Sequence, residues 1–278
     1  CREVVSHLNW NKKGLEPTIK STEPKYNKEE LLGILSEDLK SAVDIREIIA
    51  RFTDGSKFEE FKPLYGSSLV CGWASVHGYQ IGIIGNNGPI YPESAEKGAS
   101  FIQLCNKRDI PLIFLHNVTG FLVGKDFERQ GIIKKGSQLI NAVSNSTVPH
   151  ITFIVGASYG AGTYAMSGKA YNNRFTFLWP TAKIAVMGPE QMAGVMSIVR
   201  KAKAKRDGKK FDNKADKQLK EMVVDYLEKL SHGLVASSML TDDGIIDPRD
   251  TRDVIGFCLS IVNNNEVEGA KEYGVFRL

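Results

Sequence analysis

Two glycine-rich turns carry the chemistry that can be read from this sequence. The first, Asn117-Val118-Thr119-Gly120-Phe121, follows directly on an apolar run at 110–116. The second, Gly156-Ala157-Ser158-Tyr159-Gly160-Ala161-Gly162, leads from an apolar run at 148–155 into a small-residue helix at 159–168. Glycine and alanine at the mouth of a helix leave backbone N–H groups uncovered, and the first of these have no partner inside the helix. The helix dipole adds partial positive charge at the same end. Two such turns converging would make an oxyanion hole, in which one donor is typically worth about 3–4 kcal/mol in the transition state.

Side-chain catalysts are scarce. There is no Gly-x-Ser-x-Gly, and Ser158 has no histidine near it in sequence, so it lacks a base that would make it a nucleophile. His77, His116 and His150 flank predicted strands and read as turn or core residues. Glu93, Glu190 and Asp247 are carboxylates that could serve as bases, but no helical or strand spacing forces any two of them together. The main chain is the better candidate. Close helix–strand packing explains a lone Gly-x-Gly, whereas two glycine turns after successive buried strands point to acyl or enolate chemistry and no further. The first turn does not fit a phosphate-binding fingerprint.

These turns need a sheet to hold them. A strand pair is predicted at 68–75 and 79–84 around the His77-Gly78 turn. Helices at 94–107 and 131–145 alternate with the continuous apolar strands at 110–116 and 148–155, which read as buried on both faces. Short strands at 174–179 and 183–187 follow, then helices at 190–205, 213–230 and 250–262. Nearer the start, Asn27 can cap a helix beginning at Lys28. Alternation of this kind implies an α/β fold with parallel crossovers, and in such sheets ligands bind beyond the carboxyl ends of the strands.

Composition narrows the function classes. The 278 residues are 42% hydrophobic and 24% charged, as expected of a globular protein able to bury a full core. No apolar run approaches the roughly 18 residues that span a bilayer, and no signal peptide is visible at the N-terminus. The chain opens on Cys1 and not on Met, so its natural start is expected to lie upstream. The four cysteines are scattered, without metal-ligand spacing, and read as isolated thiols. The net charge of +4 is uneven, because residues 200–220 hold ten Lys/Arg against three Asp. That stretch reads as helix, Asp-Gly break, helix: a solvated arm, or a rim that attracts phosphates, with no aromatic pattern for nucleic acid.

At the glycine turns the sequence resembles a known family. Gly82-Ile83-Ile84-Gly85-Asn86-Asn87-Gly88 with Glu93-Ser94-Ala95-Glu96-Lys97-Gly98 is similar to the carboxyltransferase (β) subunits of biotin-dependent acyl-CoA carboxylases. So are the turn 117–121, Gly131-Ile132, Tyr159-Gly160-Ala161-Gly162, Trp179-Pro180, Ala185-Val186-Met187-Gly188-Pro189-Glu190-Gln191, Asp242-Asp243-Gly244-Ile245-Ile246-Asp247-Pro248-Arg249-Asp250-Thr251-Arg252 and the closing Tyr273-Gly274-Val275-Phe276-Arg277. Asn86-Asn87-Gly88, Asn117-Val118-Thr119-Gly120 and Gly160-Ala161-Gly162 resemble the 3-methylcrotonoyl-CoA branch. The propionyl-CoA branch more often shows Val-Pro-Gly-Phe and Gly-Gly-Ala at the last two of these.

The resemblance implies a crotonase-like (ClpP/crotonase) β-β-α superhelix. It divides the chain into residues 1–20, the end of an N-terminal carboxyltransferase domain and its linker, and residues 21–278, the C-terminal domain that accepts biotin. The Ala161 and Gly162 amides would hold the ureido oxygen of biotin, with Thr119, Gly120, Phe121, Tyr159 and Gly160 lining the same pocket and no metal in this half-reaction. Biotin would arrive on a partner α subunit, and the other substrate would be a coenzyme A thioester. Carboxybiotin would release CO2, and the biotin nitrogen would then take a proton from the enoyl-CoA, whose dienolate attacks the CO2. Further implications are a homo-oligomer of dimer pairs within a hexamer, a place in leucine degradation, the mitochondrial matrix (or a bacterial cytoplasm), and no nucleic acid or membrane. Without the loop that an N-domain supplies for the thioester oxygen, this chain is expected not to turn over alone. An enoyl-CoA hydratase or isomerase of the same fold would need carboxylates over the acyl chain, which residues 160–166 do not contribute. A non-catalytic assembly module would not need glycine at 160 and 162.

Overall fold

A computed structural model describes residues 1–8, 11–14, 16–36, 39, 41, 43–171 and 173–274. Val275, Phe276 and Arg277 of the closing motif lie outside the described residues. The helices are α1 (Arg2–Ser6), α2 (Leu31–Ile34), α3 (Ile45–Ile49), α4 (Pro92–Lys107), α5 (Lys125–Arg129), α6 (Ile132–Asn145), α7 (Ala161–Ala165), α8 (Pro189–Arg206), α9 (Asn213–Ser231), α10 (Gly233–Ser238) and α11 (Thr251–Val262). The strands are β1 (Glu59–Glu60), β2 (Leu69–Val76), β3 (Tyr79–Asn86), β4 (Leu112–Val118), β5 (His150–Tyr159), β6 (Phe175–Leu178) and β7 (Lys183–Ala185). The capping role of Asn27 holds, since its Oδ1 accepts the Glu29 N–H, although the segment it opens is a 3-10 turn running into the short α2.

The seven strands form one sheet in the order β1-β2-β3-β4-β5-β6, with β7 also on β5. β2 and β3 are the expected antiparallel pair, joined by the tight turn at His77 and Gly78. From β3 through β4 and β5 to β6 the pairing is parallel, so helical crossovers cover both faces. Alternate residues then serve two cores. Ile81, Ile83, Ile113, Leu115, Ile151 and Phe153 pack toward Ile45, Ile48 and Ile49 of α3 and Ile255 and Leu259 of α11. Ile84, Leu112, Phe114 and Val118 pack toward Ala99, Phe101 and Ile102 of α4 and Leu139 and Val143 of α6.

Two features position the site. The first is an irregularity in the pairing of β4 with β5. His116 faces Ile154, but Val118 faces Ser158, so β5 carries two extra residues there. Gly156 lies in this bulge because the Asn117 carboxamide fills the space a side chain would take, a Cβ at 156 coming within 2.5 Å of Asn117 Oδ1. The same oxygen accepts the Ala157 N–H at 3.3 Å. The bulge re-aims the end of the strand. The second feature is the switch of partner along β5, which pairs with β6 at Ile151–Ile154 and with β7 at Ala157–Tyr159. Residues 156–158, a turn by sequence, and Tyr159, the expected first residue of the helix at 159–168, are therefore strand, and the helix is shorter than expected, Ala161–Ala165.

Helices α8 and α9 form an antiparallel hairpin that opens at Gly208. Asp216 ties it together by accepting from Ser197 Oγ and from Arg200 Nε and Nη2. Val195, Ile198, Val199, Met222 and Tyr226 of the hairpin are exposed.

The start of the chain is clamped to the domain by Arg252 of α11. Its guanidinium donates to the carbonyls of Phe52 and Thr22 and reaches Asp54 Oδ1 at 2.8 Å. Arg252 and Asp54 are both buried. Arg252→Leu leaves the Asp54 carboxylate buried without its cation, so urea unfolding of this chain is expected to show a loss of about 3–5 kcal/mol.

Candidate active site

Strand β5 ends at Tyr159, and one residue, Gly160, turns the chain into α7. Its backbone, φ 58° and ψ −138°, is a conformation that only glycine adopts easily. A Cβ there would also come within 2.9 Å of the Val186 carbonyl oxygen. The Gly160 N–H is anchored to the Ala185 carbonyl of β7 at 3.0 Å, and its own carbonyl accepts the Thr163 N–H. Between these two bonds lie the N–H groups of Ala161 and Gly162. Among the described residues, no oxygen accepts from either. They are the first amides of a helix, so nothing within it can satisfy them.

The second glycine turn reaches the same place. Gly162 packs against Val118 and Gly120 so closely that a Cβ at 162 would lie 2.9 Å from Val118 Cγ2 and 3.1 Å from Gly120 Cα. Gly120 has φ 122° and its carbonyl holds the Ile90 N–H, while Ile90 in turn accepts from Leu122. The turn 118–122 is thus pinned to the segment before α4. Beside the two turns lies an apolar groove of about 320 Å3, lined by Phe121, Leu122, Ile132, Ile133, Ile140 and Ala161. Polar concavities of about 610, 750 and 720 Å3 exist elsewhere, but neither glycine turn lines them.

Of the residues expected at the site, Gly120, Phe121, Gly160, Ala161 and Gly162 come together. Thr119 of the first turn is exposed, as is Ala161. Tyr159 contributes its backbone, but its ring lies beside Gly188 at the start of α8. Burial, with Glu228 nearby, pushes its hydroxyl up to about 12.

The carboxylates do not gather here. Asp247 is bound by Arg249, whose hydrogen bonds hold it down to about 2. Glu93 lines a different concavity and Glu190 opens α8. Glu128 of α5 is a single exposed carboxylate at the rim of the groove. Among the described residues, no group of three or more His, Cys, Asp or Glu is placed to hold a metal.

The chain as a whole has known relatives. The model of the carboxyl transferase domain matches residues 1–276. The chain belongs to the carboxyl transferase family. Over 278 residues it is 54% identical to a probable biotin-dependent acyl-coenzyme A carboxylase beta2 subunit of Mycobacterium tuberculosis, covering 100% of this chain and 52% of that protein. It is 47% identical to the mitochondrial methylcrotonoyl-CoA carboxylase beta chain of Dictyostelium discoideum, with 100% of this chain and 47% of that protein aligned. Among solved structures, the beta subunit of geranyl-CoA carboxylase from P. aeruginosa superposes with a TM-score of 0.87 at 44% identity, over 99% of this chain and 52% of that one. The fold is that of these carboxyltransferase subunits, the crotonase-like fold. The chain spans about half the length of the relatives it matches.

One constellation in this carboxyl transferase domain is invisible in the sequence. Parallel pairing of β4 with β5 brings His116 Nδ1 to 2.9 Å from Ser158 Oγ. The reading that left Ser158 without a histidine is therefore corrected. Both side chains are fully buried. His116 Nε2 lies 2.6 Å from the Met166 carbonyl oxygen, and Ser158 Oγ lies 2.9 Å from Thr163 Oγ1. His150 is a second buried imidazole, between Ser167 Oγ at 2.8 Å and Ser146 Oγ at 2.7 Å. A histidine beside an apolar run is the available signal; the sequence leaves it as turn or core, and the structure makes it core and supplies its partner.

Two predictions follow from this geometry. Gly160→Ala forces a side chain into a backbone conformation that disfavours it and against the Val186 carbonyl, so denaturant unfolding is expected to show a loss of about 1–3 kcal/mol. The second concerns pH. Burial pushes both His116 and His150 down to about 4, against 6.5 for a free imidazole. Between those values the unfolded chain binds protons that the folded chain does not. Stability is then complete above about pH 6.5 and falls as pH drops toward 4, by up to about 1.4 kcal/mol per pH unit for each ring. Urea titrations between neutral and mildly acidic pH would measure this slope, and His116→Gln is expected to remove one ring's share of it.

Proposed function

We propose that this chain is the biotin-accepting half of an acyl-CoA carboxylase carboxyltransferase, which passes a carboxyl group from carboxybiotin to an enoyl- or acyl-CoA. The observation that carries the reading is the pair of unpartnered N–H groups at Ala161 and Gly162, opening beside an apolar groove. The residues fit the group. A ureido oxygen accepts two hydrogen bonds, and the apolar surface of Phe121 and Ile132 suits a fused hydrocarbon ring. Biotin, bound through a partner subunit, supplies the carboxyl group and a ring nitrogen that can take the substrate's proton.

The rest is the work of this chain. The Ala161 and Gly162 amides stabilise negative charge that grows on the ureido oxygen, as fixed dipoles needing no reorganisation during the reaction. Phe121 and Ile132 exclude water and so strengthen those hydrogen bonds. Thr119, Gly120, Phe121, Tyr159 and Gly160 form the surrounding turn, with the Tyr159 ring turned away from the groove. Residues 21–278 are the biotin-accepting domain, and residues 1–20 are the end of the preceding domain and its linker. That preceding domain, from a second copy in a hexamer of dimer pairs, supplies the donors for the thioester oxygen. The exposed apolar face of the α8–α9 hairpin, with Ile198, Val199, Met222 and Tyr226, supports association with other copies.

The substrate we favour is 3-methylcrotonoyl-CoA, an intermediate of leucine degradation. This rests on Asn86-Asn87-Gly88 and Gly160-Ala161-Gly162 together with the 47% identity to the Dictyostelium protein. A mitochondrial location, the compartment in that relative's name, goes with it, and within the organelle the matrix is the site we favour. An enoyl-CoA hydratase is disfavoured because Glu128 stands alone at the groove.

The test uses the complete subunit assembled with its biotin-carrying partner, supplied with ATP, labelled bicarbonate and one of several thioesters. Label is expected in 3-methylcrotonoyl-CoA with kcat/KM roughly a hundredfold above propionyl-CoA, and none is expected from the present chain alone. Labelling of no thioester would sink the assignment.

A further inference from the structure

A serine hydroxyl 2.9 Å from a histidine nitrogen ordinarily suggests a nucleophile and its base. Here the protons cannot be arranged for that role. The Met166 carbonyl can only accept, so His116 Nε2, 2.6 Å away, carries the ring proton and Nδ1 is bare. Ser158 must then donate its hydroxyl hydrogen to Nδ1, which leaves its lone pairs to accept from Thr163 Oγ1 at 2.9 Å. Donation runs one way, from Thr163 to Ser158 to His116 to the Met166 carbonyl. Every member is neutral, as expected of an imidazole pushed down to about 4 by burial. Ser158 and His116 are fully buried, so no reactant reaches either.

The ends of this chain matter more than its middle. Thr163 is the middle residue of α7 and Met166 is its C-cap, so the relay ties the second half of the helix to the strands beneath it. Its two anchors sit on different strands, His116 on β4 and Ser158 on β5, the strand whose end leads into the unpartnered amides. Helix α7 has only five residues, far too few to hold its own direction. Just beyond it, Ser167 adopts φ 61° and is gripped in turn. His150 meets its hydroxyl, and Thr152 Oγ1 and Asn173 Nδ2 donate to its carbonyl. Hydrogen bonds thus fix this short helix at its middle and at its C-terminal end, while the Gly160 N–H bond to Ala185 holds its entry.

We propose that His116, acting through Ser158 and Thr163, is a positioning residue that sets the direction in which the Ala161 and Gly162 N–H groups point. It touches no reactant. Its catalytic consequence rests on the carboxyl-transfer reading above, whereas the positioning itself is a property of the fold that can be measured apart from turnover.

The experiment uses the complete subunit with its biotin-carrying partner and the variants His116→Leu, His116→Gln, Ser158→Ala and Thr163→Val. Two quantities are read for each: hydrogen exchange of the peptide covering residues 157–168, and kcat and KM for the acyl-CoA. His116→Leu and Ser158→Ala are expected to speed exchange roughly tenfold and to lower kcat about a hundredfold, as a misplacement near 1 Å would, with KM for the acyl-CoA unchanged. His116→Gln, whose amide can donate to Met166 and accept from Ser158, is expected to restore most of kcat. Thr163→Val removes one donor at a half-exposed site without opening a cavity, and a loss of roughly tenfold is expected. Should His116→Leu fail to assemble, the Thr163→Val and His116→Gln pair decides the matter.

Exchange and kcat both unchanged in Ser158→Ala and Thr163→Val would overturn the proposal. So would abolition of turnover by Ser158→Ala with exchange unchanged, since that is the behaviour of a nucleophile. If exchange quickens in the variants but the unmodified complex carboxylates no thioester, the positioning role stands and the carboxyl-transfer reading is the one that fails.

Discussion

The first amides of a helix cannot be satisfied by the helix they begin, and the site of this protein is organised around that constraint. At several other starts a side chain answers it locally. Asp212 caps α9 by accepting from Lys214 and Ala215, Asp44 caps α3, and Asn27 caps the segment before α2. At α7 the residue before the helix is a glycine at φ 58° and ψ −138°, with no side chain to turn inward, and α5, α6 and α8 likewise start from uncapped glycines. An uncapped helix start typically costs about 1 kcal/mol. The sheet offsets that cost from behind, by burying α7 against Val118 and Gly120 and by holding its far end through Met166 and Ser167.

The same constraint explains why glycine recurs around the turn for different reasons. Gly160 supplies a backbone conformation. Gly162 supplies proximity, because any side chain would push the second turn away. Gly156 makes room for a carboxamide that stabilises the bulge. These three roles look alike in the sequence and separate only when the neighbours are known.

Much of the fold was legible before the structure, because its strands are buried on both faces and therefore read as continuous apolar runs. The strand at 110–116 and the helix at 131–145 stand almost where expected. Residues 156–158 did not, since Gly-Ala-Ser is a loop by composition and becomes strand only through pairing with β7 and the Asn117 side chain. The meeting of His116 with Ser158 was hidden for a related reason. It spans 42 positions and depends on a parallel register broken by a bulge, which no local pattern encodes. Tyr159 was placed at the site by its neighbours in sequence, yet a strand sends successive side chains to opposite faces, and its ring went to the α8 side.

The attachment of Gly160 to β7 has a mechanical consequence. Ala185 accepts the Gly160 N–H, and two residues earlier Lys183 is ion-paired with Glu228 on α9 and bridged to His232. The helical arm and the turn are therefore coupled in series through three residues of strand. A displacement of the arm near Glu228 would therefore be passed along that short strand to the peptide preceding the unpartnered amides.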